Sequence, residues 1–141
     1  MKVHHITFRT NVAATESDDR VKTALSLFLF DNETKATQTE GHFGNPITIL
    51  EGKDKGKDCA RFMELVKSSL SENELETLKE ERCERIDDEC CFHMRFDKQA
   101  AFEGKVKIAT TSDAIVAKIK LKAFPANRDN AIIAAEALFN S

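Results

Sequence analysis

Apolar and polar residues alternate along residues 2–12 and again from residue 90, with helical periods between these stretches and at the close of the chain. His4, Ile6, Phe8 and Val12 fall on one side of residues 2–12, with His5, Thr7, Arg9 and Asn11 on the other. That period of two predicts a half-buried strand. Thr15 then stands at an N-cap position, ahead of acidic residues 16, 18 and 19 that suit the positive end of a helix dipole. Val21, Ala24, Leu25 and Phe28 follow at helical spacing and predict an amphipathic helix over 16–30. Residues 36–51 read as two extended pieces either side of Gly44-Asn45-Pro46, and the polar stretch GKDKGKD reads as a turn.

Asp58 is placed to cap a second helix through Phe62, Leu65, Val66 and Ser69. Ser71 and Glu74 make a capping box that restarts a helix carrying Leu75, Leu78 and Arg82. From residue 90 the period returns to two. Phe92, Met94 and Phe96 oppose Cys91, His93 and Arg95; Val106 and Ile108 alternate with Lys105 and Lys107. Ile115, Ala117, Ile119 and Leu121 alternate with Val116, Lys118, Lys120 and Lys122. Pro125 ends this stretch, and Ala131, Ile132, Ala135 and Leu138 predict a closing helix over 128–139. The expectation is an α+β fold, a two-layer sandwich in which helices cover one face of an antiparallel sheet, with residues 1–141 forming one domain.

Composition narrows the function. With 141 residues, 41% hydrophobic and 32% charged, the chain can bury one sizeable core. It has no apolar run of the roughly 20 residues a membrane span requires, and the first strand does not resemble a signal peptide. A cytoplasmic location is expected, with Cys59, Cys83, Cys90 and Cys91 reduced. The net charge of −3 is unevenly placed. Residues 71–89 hold nine acidic and three basic side chains, whereas 90–124 hold seven basic and three acidic. Two oppositely charged surfaces follow.

The lysine alternation carries the most chemistry. Residues two apart on a strand share a face, so Lys118, Lys120 and Lys122 project together at roughly 6.6 Å intervals. Arg95, Lys105 and Lys107 join them if their strands share the sheet, and so does Arg9 if the first strand pairs in. Such a face suits a phosphate backbone. Lysines on a solvent face also serve simply to keep strand edges unpaired. Cys83, Cys90, Cys91 and His93 could ligate zinc, but neighbouring Cys90 and Cys91 should point opposite ways and no C-x-x-C pair exists. We therefore assign no metal and no cofactor. No nucleotide-binding glycine motif or nucleophile signature occurs, so no catalytic residue is expected. In GHFGNP the two glycines and Asn45-Pro46 suit a hairpin bend; alternatively His42 and Asn45 donate to an anion there.

EGHFGNPITIL, RFDKQAAFEGKVKI and ITFRTNVAATESDDRVKTAL together resemble an archaeal family of predicted exosome subunits or RNA-binding proteins, over about residues 3 to 139. The resemblance implies an α+β fold of the ribosomal-protein or double-stranded-RNA-binding type, and RNA as the partner. The expected contacts are Arg9, Arg95, Lys98, Lys105, Lys107, Lys118, Lys120 and Lys122 on phosphates, and His42 and Asn45 on phosphate or an exposed base. Without Trp or Tyr, binding should be weakly sequence-specific. An RNA-processing complex or a homodimer is a further expected partner. The alternative is a self-associating protein-interaction module whose acidic 72–89 helix meets a basic surface.

Overall fold

The computed structural model describes residues 3–13, 15–30, 32–40, 44 and 46–139. Its elements run β1 (Val3–Val12), α1 (Asp18–Leu29), β2 (Lys35–Glu40), β3 (Pro46–Lys55), α2 (Lys57–Ser69), α3 (Glu72–Glu80), α4 (Arg82–Arg85), β4 (Cys91–Asp97), α5 (Lys98–Phe102), β5 (Ala114–Leu121) and α6 (Arg128–Phe139). The five strands form one antiparallel sheet of order β2-β3-β1-β5-β4, so the α+β expectation holds. The residues divide into two compact units. The first comprises Met1–Ile6, Lys55–Met94 and Lys118–Ser141, and the second Thr7–Asp54 and Arg95–Ala117.

In the second unit, α1 buries Val21, Ala24, Leu25, Phe28 and Leu29. The Phe28 ring stacks on Phe8 at 5.7 Å and on Phe96 at 4.7 Å. Aromatic pairs of this kind add about 0.5–1.5 kcal/mol beyond their buried area. The helix begins later than expected. Ser17, not Thr15, is the N-cap and accepts from the Arg20 amide, while the Glu16 carboxylate accepts from the Ala13 amide. Two residues with capping oxygens precede the apolar run, and Glu16 is occupied in bracing the turn before it.

Strand β3 also differs from its expectation, because GKDK continues the strand instead of turning. Gly52 is there for closeness: a Cβ on it would lie 2.5 Å from Leu29 Cδ1. The turn is delayed to Gly56, whose φ of 58° suits glycine. β2 and β3 pair as a hairpin with Glu40 opposite Pro46. Of the loop between them only Gly44 is described, at φ 74°; His42 and Asn45 lie outside the described residues. Helix α5 was not expected. Its signal is Asp97, whose side chain accepts from the Ala100 amide at 2.8 Å and so ends β4 by capping a helix.

In the first unit, α2 buries Cys59, Phe62, Met63 and Val66, with Gly56 and not Asp58 at its N-cap. The Ser71–Glu74 capping box is present and starts α3. Helix α6 buries Ala131, Ala134, Ala135, Leu138 and Phe139, and the Phe139 ring meets Phe92 at 5.4 Å. On β1 the alternation holds from Ile6 to Val12, but Val3 is buried and His4 exposed, the reverse of the expected faces at the strand's start.

Two substitutions measure this packing by urea denaturation. Phe28→Ala, which empties the centre of the ring stack, should cost about 3–5 kcal/mol. Gly52→Ala should cost about 1–3 kcal/mol by pressing on Leu29.

Candidate functional site

Strand parity puts the expected cations where they were expected to lie. On β5, Ile115, Ala117, Ile119 and Leu121 are buried, and Lys118 and Lys120 stand half-buried on the opposite face. On β4, Phe92, Met94 and Phe96 are buried while His93 is half-buried and Arg95 exposed. What surrounds these cations was not legible in advance.

In the first unit the chain leaves α4, bridges Ile86 to Phe92, and turns back into β4. Cys90 takes a left-handed conformation at φ 63° in this turn. The turn carries Asp87 and Glu89 onto the lysines. Asp87 Oδ1 accepts from the amides of Glu89 and Cys91 at 2.9 and 3.0 Å, and its Oδ2 lies 2.7 Å from His93 Nε2. Lys118 Nζ sits 3.4 Å from Glu89 Oε2 and 4.0 Å from Asp87 Oδ2. Lys120 Nζ donates to the Glu89 carbonyl. Both β5 lysines are thus engaged; Lys122, one residue past the strand, is exposed and has no ion pair among the described residues.

Burial pushes the Asp87 carboxyl up, but the hydrogen bond with His93 and those from the Cys91 and Glu89 amides outweigh it, and the pKa falls below the ordinary aspartate value. Burial raises the Cys91 thiol, and Asp87 adds to the rise against the opposing pull of Lys118 and Lys120. Asp87, Glu89 and Cys91 hold donor atoms within 4.8 Å of one another. Asp87 is met by His93 and Lys118, and Glu89 by Lys118. Cys83, Cys90, Cys91 and His93 do not gather into a ligand set among the described residues. Cys90 Sγ donates to the Asn127 carbonyl, Cys91 Sγ to that of Glu89, and Cys83 is exposed.

The second unit holds the rest. Lys98, the first residue of α5, is not available to a ligand. Its ammonium reaches the Asn11 carbonyl at 2.6 Å, Glu16 at 3.2 Å and Asp113 at 2.6 Å, and its side chain is only 11% exposed. Three acceptors use its three protons. Arg9, Arg95, Lys105 and Lys107 are exposed, and none has an ion pair among the described residues. Residues 105–109 pair with β4 through Phe96 and Ile108, with amide bonds from Asp97 to Lys107 and from Ala109 to Arg95. Since β4 ends the sheet order with β5 on its other side, it separates Lys105 and Lys107 from β5.

A family model described as RNA binding matches residues 5–121. The chain belongs to this RNA-binding family. Among its relatives, it is 36% identical to the RNA-binding protein PAB1135 of Pyrococcus abyssi, over 92% of this chain and 88% of that one. It is 33% identical to the uncharacterized protein MJ0213 of Methanocaldococcus jannaschii, over 86% and 87%. In structure it is similar to protein AF2318 of Archaeoglobus fulgidus (TM-score 0.88, 29% identity, 97% and 99% covered). It is also similar to the DUF54 protein Mth689 of Methanothermobacter thermautotrophicus (TM-score 0.83, 30% identity, 99% and 100% covered). For this family member, the match spans Arg9, Arg95, Lys105 and Lys107 of the second unit and the Asp87–Lys118 network of the first.

The lowered Asp87 pKa fixes a pH dependence. The folded carboxyl titrates below the unfolded one, so its stabilisation is complete above the ordinary aspartate value and is lost as pH falls through the folded pKa. The stability difference between the native chain and Asp87→Asn should be constant above about pH 5 and shrink below it. Acid titration of both by circular dichroism checks the sign. Alkylation at neutral pH should label exposed Cys83 well before Cys91.

Proposed function

We propose that the chain binds RNA through backbone phosphates, without catalysis and with weak sequence preference, and that the second unit carries the main phosphate contacts. One observation supports this most: Arg9, Arg95, Lys105 and Lys107 are exposed and unpaired among the described residues, whereas Lys98, Lys118 and Lys120 are engaged. Arg9 and Arg95 project from the face opposite the buried side chains of β1 and β4, with β5 between those strands. The strand spacing sets them roughly 10 Å apart, a distance that a flexible single strand can bridge. The name of the relative PAB1135 as an RNA-binding protein agrees with this reading.

The magnitudes decide against the β5 lysines as the principal contact. An exposed ion pair is worth only about 0.2–1 kcal/mol, so pairing alone would not keep RNA away. A phosphate reaching Lys118, however, must also approach Asp87 and Glu89. Two like charges about 4 Å apart repel by about 1 kcal/mol in water and about 4 kcal/mol at the surface of a protein. The unpaired cations impose no such cost. The acidic residues expected to meet a basic partner are also paired in part: Glu81 with Arg85, and Asp87 and Glu89 with Lys118. That weakens the self-association alternative. We further place the protein in the cytoplasm, as an accessory to RNA processing or degradation; among the described residues, no helix is long and apolar enough to cross a membrane. Capture of RNA-degrading subunits on the tagged chain would support this accessory role, and capture of none would count against it.

Filter binding of a single-stranded RNA over a range of salt tests the phosphate contacts. Replacing both Lys105 and Lys107 with Ala should weaken binding uniformly across sequences and flatten the logarithmic salt slope by about 1.4, or about 0.7 for each phosphate no longer neutralised on a single strand. An unchanged slope would show that these lysines touch no phosphate.

A further inference from the structure

We propose that Phe124 is a stacking platform for an unpaired nucleobase, with Lys122 holding the adjoining phosphate; this rests on the RNA-binding reading above. Phe124 lies in the first unit, three residues past the end of β5, and is 97% exposed. Phe8, Phe28, Phe62, Phe92 and Phe96 are by contrast fully buried. With neither Trp nor Tyr in the chain, phenylalanine is the only uncharged ring of its size that could meet a base face. Among the described residues, Ile133 on α6 is the other large apolar side chain left exposed.

The ring is out in solvent although the loop beneath it is anchored. The Pro125 carbonyl accepts from the Asn127 amide and from Asn130 Nδ2, both at 2.9 Å, and Arg128 donates to the Cys83 carbonyl. The Asn127 side chain caps α6 by accepting from the Asn130 amide at 2.9 Å. A loop held in place before binding loses less freedom when a base arrives. Lys122 is exposed, without an ion pair among the described residues, and two residues of chain span at most about 7 Å. Its ammonium can therefore reach the phosphate of a nucleotide stacked on the ring.

Charge and composition favour a base over a protein partner. A protein hot spot sits within apolar surface that excludes water. Along the chain the ring is flanked by Ala123, Pro125 and Ala126, small side chains that offer no broad apolar surface, and then by exposed Lys122, Asn127, Arg128 and Asp129. Every base has a flat face, so such a platform tolerates any sequence, but it requires the base to be unstacked. Single-stranded RNA, or a loop, is accordingly the ligand, and a blunt duplex is not.

The test compares a single-stranded oligoadenylate with a blunt RNA duplex on the full chain, using native protein, Phe124→Ala, Phe124→Leu and Phe124→Trp. Loss of stacking should weaken oligoadenylate binding about 5- to 140-fold in the Ala variant. Leu should resemble Ala, Trp should retain the native affinity, and duplex affinity and the salt slope should not move. Because the ring is exposed, all three variants should keep the native melting temperature. Equal oligoadenylate affinity in Ala and native protein would overturn the platform while leaving the phosphate reading intact. So would equal losses on both RNAs, or a Leu variant that binds like the native chain. If native protein retains neither RNA, the phosphate reading falls and the platform with it.

Discussion

Strand parity is the constraint on which the surface depends. Every apolar side chain that β4 and β5 bury forces its neighbours to the other face, so Phe92, Met94 and Phe96 place His93 and Arg95 outward as surely as Ile119 and Leu121 place Lys118 and Lys120. A slip of one residue in either strand would bury charge and expose the core, a change far larger than the energy of any surface ion pair. The cationic face is thus a consequence of the core. The ring stack of Phe8, Phe28 and Phe96 makes the same point in the second unit, since the residues it buries leave Arg9 and Arg95 outside.

Which of those outward charges can act is decided by the chain's acids. Asp87 is held in place by two amides and by His93, and with Glu89 it covers Lys118 and Lys120. Lys98 is spent in joining α5 to the residues around Glu16 and Asp113. The count of basic residues therefore overstates the binding surface. Of the cations that the sequence singles out, those left without an ion pair among the described residues are Arg9, Arg95, Lys105 and Lys107 in the second unit and Lys122 in the first.

Elements with a strong period or a capping oxygen could be read directly. Both alternating strands at the end of the chain, the Ser71–Glu74 box and the closing helix lie close to where their residues predict. Failures came where one residue type has two physical uses. Gly52 looked like a turn and is a close approach to Leu29; Thr15 looked like a cap when Ser17, two residues on, does the work. Lys105 and Lys107 alternate like a strand of the patch, but their segment takes the far edge of β4, a long-range choice that no local pattern encodes. The turn that brings Asp87 and Glu89 over Lys118 and Lys120 is equally non-local, joining residues 29 to 31 apart in sequence. Phe124 was hidden for another reason: composition places phenylalanine in cores, and only the structure distinguishes the one left fully exposed among the described residues.

The central claim is that RNA selects the unpaired cations over the paired ones. The most direct measurement is an amide and side-chain NMR titration of the isotope-labelled chain with single-stranded RNA. The account predicts the largest shifts at Arg9, Arg95, Lys105 and Lys107, with little change in Asp87, Glu89, Lys118 and Lys120. Shifts concentrated on Lys118 and Lys120, with the Asp87 and Glu89 resonances moving as their pairs open, would contradict it.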